Sequence, residues 1–376
     1  MKPVVLVALG CFWPGNDASG PNQSFIALAS VLQHEFEFRV LARDRAPGAA
    51  ASTPPLGWVN LGFAHARYLN VGPFGARGLS RVISQTPHDV LWLNSVYDRE
   101  FTLPALAARA FGATRAPVIL SPRGEFGEGA LAVKASKKRL FLALARASIW
   151  RHILWHATSD TEADDMAANL PRRAQIVVAP NLRLPPPPPP FEPPGEKLRA
   201  IFVGRIVPIK GLDIALEALR QVRAPTTFDI FGPPEDEATS RHCRQIAMRL
   251  PPHIEVHWRG AASNSEIVAA LGRSDILVSP TGGENFGHAI FEALACGVPA
   301  LISDRTPWRD LAARHAGWDL PLGDASAFAA VLDAYAALAP NDREVWREGA
   351  RAVARRYVET SGAAAASAAL IRQALA

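Results

Sequence analysis

Short apolar runs recur along the chain at residues 4–9, 36–41, 90–93, 118–120 and 153–157, and again at 200–203, 228–231, 254–258, 276–278 and 299–302. Polar or Gly/Pro turns bound each run, and a stretch with helical spacing of its apolar positions follows. Runs this short suit strands buried on both faces. Their alternation with helices predicts an α/β fold of parallel sheets covered on both sides, and two such sheets fit the length. Between the two sets of runs lie six consecutive prolines at 185–190, followed by Phe191, Glu192, Pro193 and Pro194. Proline lacks the N–H that a helix interior or a central strand needs, so this stretch predicts a stiff connector rather than an element of either sheet. The expected division is a first domain over 1–184, a linker over 185–196 and a second domain over 197–355. Beyond Leu322 the chain turns alanine-rich and helical, with helices predicted at 326–338, 342–357 and 363–375.

Composition narrows the class without choosing a function. A chain of 376 residues, 49% of them hydrophobic, can bury substantial cores as a soluble globular protein. Its 40 basic and 35 acidic residues leave a formal charge of +5. That excess is too small and dispersed to indicate nucleic-acid binding, and an anionic small ligand or a membrane surface explains it equally well. Cys11, Cys243 and Cys296 are far apart and match neither a metal site nor a disulfide framework, which fits a reducing cytoplasm. Residues 1–11 carry one lysine and a very short apolar core, and read as a buried first strand rather than an export signal. No apolar run approaches the roughly 20 residues that cross a bilayer. Membrane association, if any, is therefore expected to be peripheral.

In open α/β sheets, ligands bind beyond the carboxyl ends of the strands. The segments at those ends are 10–20, 94–98, 123–125, Ser159, 204–210, 232–234 and 280–287. The most informative is 280–299. Its strand ends at Pro280, glycines at 282 and 283 permit a tight turn, and a helix is predicted to begin near Gly287 and stop at Gly297. Amides from about Phe286 to Ala289 then point outward, and with the helix dipole they form an anion site suited to a diphosphate. Glu284 lies in the loop and Glu292 inside the helix, so two carboxylates flank that anion as hydrogen-bond acceptors for hydroxyls. Gly204, Arg205 and Lys210 open the second half in the same style, with a strand, a glycine and two cations before a new helix. Fixed cations there stabilise the charge that develops on a departing diphosphate. They also substitute for a metal ion. No Asp-x-Asp pair follows a strand, and Asp164 with Asp165 falls within a predicted helix as a solvated face. His156 reads as a core or edge histidine, His288 as locally bonded and Trp308 as packing.

With these residues in place, the chain resembles the retaining glycosyltransferases of family 4, the group 1 glycosyl transferases, in their surface polysaccharide branch. The carriers are the Glu-x7-Glu element from Glu284 to Glu292 and the Gly-Arg…Lys-Gly element around Arg205, Lys210 and Gly211. The flanking phrases at 228–233 and 303–309 belong to the same pattern. The resemblance implies the GT-B fold, two facing Rossmann-like domains with an interdomain cleft, and a final helix over 356–376 returning to the first domain. It implies that Arg205 and Lys210 contact the donor phosphates and Glu284 the transferred sugar. Gly283, Asn285, Phe286 and Gly287 would serve the phosphate or sugar through the loop backbone, and Glu292 the ribose. Gly204 and Gly232 would lie on the nucleotide side, although Gly232 can equally serve only to end its strand tightly. Many members place a histidine in a first-domain loop near the sugar. Here 121–125 reads Ser-Pro-Arg-Gly-Glu, so Arg123 takes that place as a further cation. The glycine-rich turn of the family is represented by Gly20, ahead of Pro21.

The expected function is retaining, metal-independent transfer of a hexose-type sugar from a nucleoside diphosphate sugar to a hydroxyl of a saccharide or lipid-linked saccharide. No cofactor and no metal are expected beyond that donor, and the expected place is the cytoplasm. Two other readings stay open. One is a two-lobed sugar-nucleotide epimerase, and the other a non-catalytic partner subunit that binds a sugar nucleotide. A Rossmann dehydrogenase lacks its Gly-x-Gly-x-x-Gly after the first strand. Residues 133–146 combine clustered cations with a helical apolar stripe, which reads either as an ordinary amphipathic helix or as a surface for anionic lipid.

Overall fold

A computed structural model describes residues 1–49, 57–72, 75–127, 153–190, 192–193 and 195–376. The basic stretch at 133–146 lies outside the described residues, as do Phe191 and Pro194. Contacts divide the chain into two units: Met1–Arg183 with Gly362–Ala376, and Leu184–Ser361.

In the first unit, β1 (Val4–Ala8), β2 (Glu37–Arg43), β3 (Val59–Asn60), β4 (His65–Leu69), β7 (Val90–Asn94), β8 (Val118–Ser121), β9 (Ile153–Ala157) and β10 (Gln175–Val178) form one sheet. Its order is β10-β9-β8-β7-β1-β2-β4-β3, and β5 (Val71–Gly72) pairs separately with β6 (Gly75–Ala76). All main-sheet pairings are parallel except β3 on β4. Alternate residues of β1 enter two different cores. Val5 and Val7 pack with Phe25 and Leu28 of α1 (Gly20–Leu32) and with Leu370 of α11 (Ala363–Leu375). Leu6 and Ala8 join Val82 of α2 (Leu79–Gln85) and Leu106 of α3 (Thr102–Ala110). Burial on both faces is why β1 reads as a continuous apolar run. Strands β4 and β16 (Gly317–Leu320), which lack such runs, lie beside or at a sheet edge, where half-exposed positions include the polar residues His65, Arg67 and Asp319.

Beneath the carboxyl edge of this sheet runs a buried polar chain. Trp92 Nε1–H donates to Ser121 Oγ over 2.8 Å, the Ser121 hydroxyl donates to His156 Nδ1 over 2.7 Å, and His156 Nε2–H donates to the Ala179 carbonyl over 2.8 Å. The carbonyl can only accept, so the ring is the neutral Nε2–H tautomer, a core histidine as its sequence context suggests. Burial, with the charge of Arg123 adding to it, pushes the His156 pKa down to about 4. The folded value lies below the unfolded value near 6.5, so the unfolded chain takes up the proton first as pH falls. Stability from this group is therefore complete above about pH 6.5 and is lost progressively toward pH 4, by about 3 kcal/mol at most. Urea unfolding at pH 7.5 and 5.0 should show a smaller pH dependence in His156→Asn than in the parent; equal slopes would remove His156 from this role.

In the second unit, β11 (Leu198–Val203), β12 (Thr226–Phe231), β13 (Ile254–Gly260), β14 (Ile276–Ser279), β15 (Ala300–Ser303) and β16 form a wholly parallel sheet in the order β13-β12-β11-β14-β15-β16. The chain runs outward from β11 to β13 and returns to β14. Strand order therefore reverses between β11 and β14, the position at which α/β sheets open a binding crevice. The covering helices are α5 (Leu212–Leu219), α6 (Glu237–Ala247), α7 (Asn264–Gly272), α8 (His288–Ala295), α9 (Ala325–Ala336) and α10 (Pro340–Thr360). The remaining described helix, α4 (Asp160–Asn169), belongs to the first unit, and Asp164 is exposed on it.

Contacts place two boundaries differently from the expected ones. The proline stretch belongs to neither sheet, as its missing N–H groups require, but it lies against the second unit. A Cβ on Gly272 would meet the Pro189 side chain at 2.7 Å, and Arg199 Nη2 donates to the Glu192 carbonyl over 3.0 Å. Residues from Leu184 onward are thus laid on the second unit. The chain rejoins the first unit at Gly362, not at 356, because α10 continues to Thr360 and Gly362 turns left-handed at φ +61° before α11.

Candidate functional site

The loops after β11 and β14 meet at the reversal of strand order in the second unit. After β11, residues Pro208–Lys210 make one 3₁₀ turn, which ends at Gly211 with φ +67° before α5 begins. A Cβ on Gly211 would lie 2.0 Å from the Pro280 carbonyl oxygen, so glycine is required by contact as well as conformation. The loops are joined across that contact. Gly282 N–H and the Thr281 hydroxyl both donate to the Ile209 carbonyl, over 2.7 and 3.0 Å. From the other side, Ser303 Oγ donates to the Thr281 carbonyl over 2.5 Å, and Glu284 N–H donates to the Arg305 carbonyl over 3.0 Å.

This framework brings Lys210 and Glu284 into direct contact, Nζ to Oε1 over 2.5 Å, with both side chains mostly shielded from water. Arg205 lies at the exposed rim and pairs with Glu235 Oε2 over 2.8 Å. Each cation predicted to meet a diphosphate is thus matched by a carboxylate in this structure. Helix α8 starts at His288 from Gly287, whose φ is +80°. A Cβ there would come within 2.8 Å of Ile290 and 3.3 Å of Trp308. Helix geometry leaves the first-turn amides of α8 without intrahelical acceptors, at the end where its dipole is positive. The far end closes through the amides of Gly297 and Val298, which donate to the Leu294 and Ala293 carbonyls.

Phe286 offers the site its backbone only. Its ring is buried among His288, Phe291, Trp308 and Tyr357, and its carbonyl accepts from Trp308 Nε1 over 2.5 Å. Trp308 therefore packs, as its sequence context suggests, and also holds the loop. Asn285 and Gly283 are partly exposed in the same loop. Nothing lies within 4 Å of a Cβ built on Gly283, and its φ is not positive; the left-handed residue of this loop is Gly287. Glu292 is 3% exposed and accepts from Asn264 Nδ2 over 3.0 Å. Gly232, with φ +146°, would place a Cβ 1.9 Å from the Gly204 carbonyl oxygen. That contact explains Gly232 by strand packing, and Gly204 is the partner it fits against.

Gly20 and Arg123 belong to the first unit. Gly20 is the first residue of α1, behind Ser19 in extended conformation, and closer to β1 a Cβ on Gly10 would meet the Phe101 ring at 2.8 Å. Arg123 stands at the carboxyl end of β8 with φ +58°, uncommon for a residue other than glycine. Its Nε and Nη2 donate to Asn94 Oδ1 and its Nη1 to Asn181 Oδ1, over 3.1, 3.0 and 2.9 Å. The neighbouring Gly124 N–H donates to buried Glu162 over 2.6 Å. Sequence inspection passes over Thr281, Glu235, Asn264 and the Arg305 carbonyl. Each acts through a contact with a residue 20 or more positions away, and no local spacing announces it.

Residues 188–353 match the family model for glycosyl transferases group 1, and residues 19–182 match that for the glycosyl transferase 4-like domain. The chain belongs to glycosyltransferase family 4. Within this family it is 36% identical over 170 residues to the phosphatidyl-myo-inositol mannosyltransferase of Mycobacterium leprae (strain TN), covering 42% of each chain. The WcaL protein of Escherichia coli (strain K12), provisionally named a colanic acid biosynthesis glycosyltransferase, is 30% identical over 159 residues, covering 40% of this chain and 38% of its own. These matches span well under half the length of the curated relatives. Among solved structures, sucrose-phosphate synthase of Thermosynechococcus elongatus superposes with a TM-score of 0.74 at 15% identity, covering 99% of both chains. Anabaena HepE, solved with UDP and glucose, superposes with a TM-score of 0.69 at 15% identity, covering 99% of this chain and 100% of that one. The fold of this family 4 glycosyltransferase is GT-B. Among the described residues no helix is long and apolar enough to cross a membrane, and no group of three or more His, Cys, Asp or Glu stands ready to hold a metal.

Proposed function

We propose that this family 4 glycosyltransferase moves a hexose-type sugar from a nucleoside diphosphate sugar to a hydroxyl of a saccharide or lipid-linked saccharide, with retention of configuration, in surface polysaccharide assembly. The observation that carries the reading is the Lys210–Glu284 contact at the reversal of strand order, beside the N-terminus of α8. On donor binding, Lys210 and Arg205 exchange their carboxylates for phosphate oxygens, and Glu284 is released to accept hydrogen bonds from sugar hydroxyls. As the glycosidic bond to phosphate breaks, the departing diphosphate gains charge between two fixed cations and the helix amides. Attack from the leaving group's own face, with a phosphate oxygen taking the acceptor proton, gives retention without a protein base. HepE was solved with UDP-glucose, which supports a sugar nucleotide as the donor class.

The two cations occupy the place a metal would take beside a diphosphate, so turnover is expected to survive EDTA. A lipid-carried acceptor fits a protein that works in the cytoplasm with peripheral contact to an anionic membrane face. The test is a thermal-shift screen of UDP-, GDP- and ADP-sugars, in which a donor at about 100 times its Kd adds about 2.7 kcal/mol. Incubating the stabilising donor with an acceptor panel and reading the product anomer by NMR follows. An α-linked product from an α-linked donor is expected. An inverted anomer overturns retention, and conversion of the donor with no acceptor present favours an epimerase.

A further inference from the structure

Helix α7 follows β13 in the second unit, and its first residue is Asn264. The backbone there is fixed by reciprocal caps. Ser263 Oγ accepts from the Glu266 amide over 3.3 Å, and Glu266 Oε2 accepts from the Ser263 amide over 2.7 Å. From this fixed start the Asn264 carboxamide reaches α8 and donates Nδ2–H to Glu292 Oε1 over 3.0 Å. Glu292 is nearly wholly removed from water, and a carboxylate so placed is costly unless hydrogen-bonded. This donor is neutral. An amide orients a carboxylate and offsets part of its desolvation while adding no charge of its own. A lysine or arginine in that position would compete for the same lone pairs as a net charge partner.

We infer that Asn264 is a positioning residue for the nucleoside end of the donor site: through its bond to Glu292 it sets the carboxylate that discriminates the ribose hydroxyls. This rests on the reading of Glu292 as the ribose contact of a nucleoside diphosphate sugar. Asn264 needs no contact with the donor. Its predicted signature is therefore selective, a loss of preference for ribose over deoxyribose with little change in affinity for the rest of the nucleotide.

The probes are UDP, GDP and ADP with their 2′-deoxy and 3′-deoxy counterparts, titrated calorimetrically into the full chain, taking forward the nucleotide that binds most tightly. The parent should prefer the ribonucleotide by about tenfold to a hundredfold, as expected for a hydrogen bond to a charged acceptor. Glu292→Gln should bring that ratio close to one. Asn264→Ala should reduce it at least threefold while leaving deoxynucleotide affinity within twofold, and Asn264→Ala in the Glu292→Gln background should change nothing further. If Glu292→Gln abolishes discrimination and Asn264→Ala keeps the parent ratio, the positioning role is overturned and the ribose reading stands. Equal weakening of ribo- and deoxynucleotide by Asn264→Ala also overturns it, since that is a general structural effect. Should neither variant alter the ratio, the ribose reading of Glu292 itself fails.

Discussion

Lys210→Ala and Glu284→Ala are each expected to lower kcat/KM by about 10²- to 10³-fold, or about 3–4 kcal/mol of transition-state stabilisation, with the protein still folded. The loss at Lys210 removes a cation from the position where the departing diphosphate is proposed to gain charge. At Glu284 it removes the acceptor proposed for the sugar hydroxyls. The contact between the two makes a further prediction. Each group neutralises the other in the free protein, over 2.5 Å and largely shielded from solvent, so each single variant leaves one charge uncompensated. The double variant removes both charges and should cost less than the sum of the single effects, the usual result for groups that act as a unit. Arg205 is different, being more than half exposed and paired with Glu235 at the rim. Steady-state kinetics with the donor found by thermal shift, alongside melting temperatures, provides the check. Activity within threefold of the parent in both single variants would sink this assignment of the site.

The second large effect is structural and separates glycines that look alike in the sequence. Gly211→Ala and Gly232→Ala are each expected to destabilise the second unit by more than about 3 kcal/mol, because each adds a backbone clash to an unfavourable positive φ. The new Cβ would lie 2.0 Å from the Pro280 carbonyl oxygen in one case and 1.9 Å from that of Gly204 in the other. Neither obstacle is a side chain that can swing away; both belong to loops that build the site. For a unit of this size, the melting temperature should fall by about 6–12 °C. Gly283→Ala is the control. Its Cβ would meet nothing within 4 Å and its φ is not positive, so the fold should hold and any change should appear in donor binding alone. A melting temperature for Gly211→Ala within 2 °C of the parent would contradict this account of why the loop needs glycine.

The contrast among these glycines shows where sequence reading stops. The pairs Gly282–Gly283 and Gly211–Gly232 are equally permissive as residue types, and only the approach of another strand or loop decides which is indispensable. The same holds for the prolines at 185–190. Their missing N–H groups forbid a helix interior and a central strand, but not adhesion to the second unit, which the contact of Pro189 with the Gly272 backbone position provides. Arg123 was legible as a cation at the end of a strand. That its guanidinium would be held by Asn94 and Asn181 depends on segments 29 and 58 residues away.

What the sequence determined by itself is therefore local. Apolar runs flanked by turns specify the central strands, because a strand buried on both faces must be apolar at every position. The helix stop at Gly297 and the cations at 205 and 210 made the proposed anion site legible, because helix-end geometry and charge follow from short stretches of chain. Strands β4 and β16, beside and at a sheet edge, escaped, since half-exposed strands need no continuous apolar run. Only the tertiary structure decided which carboxylate faces which cation, which glycines the loops cannot spare and which amide steadies Glu292. Those facts are set by strand order and loop contact between residues distant in the chain, and no property of the residues taken in sequence contains them.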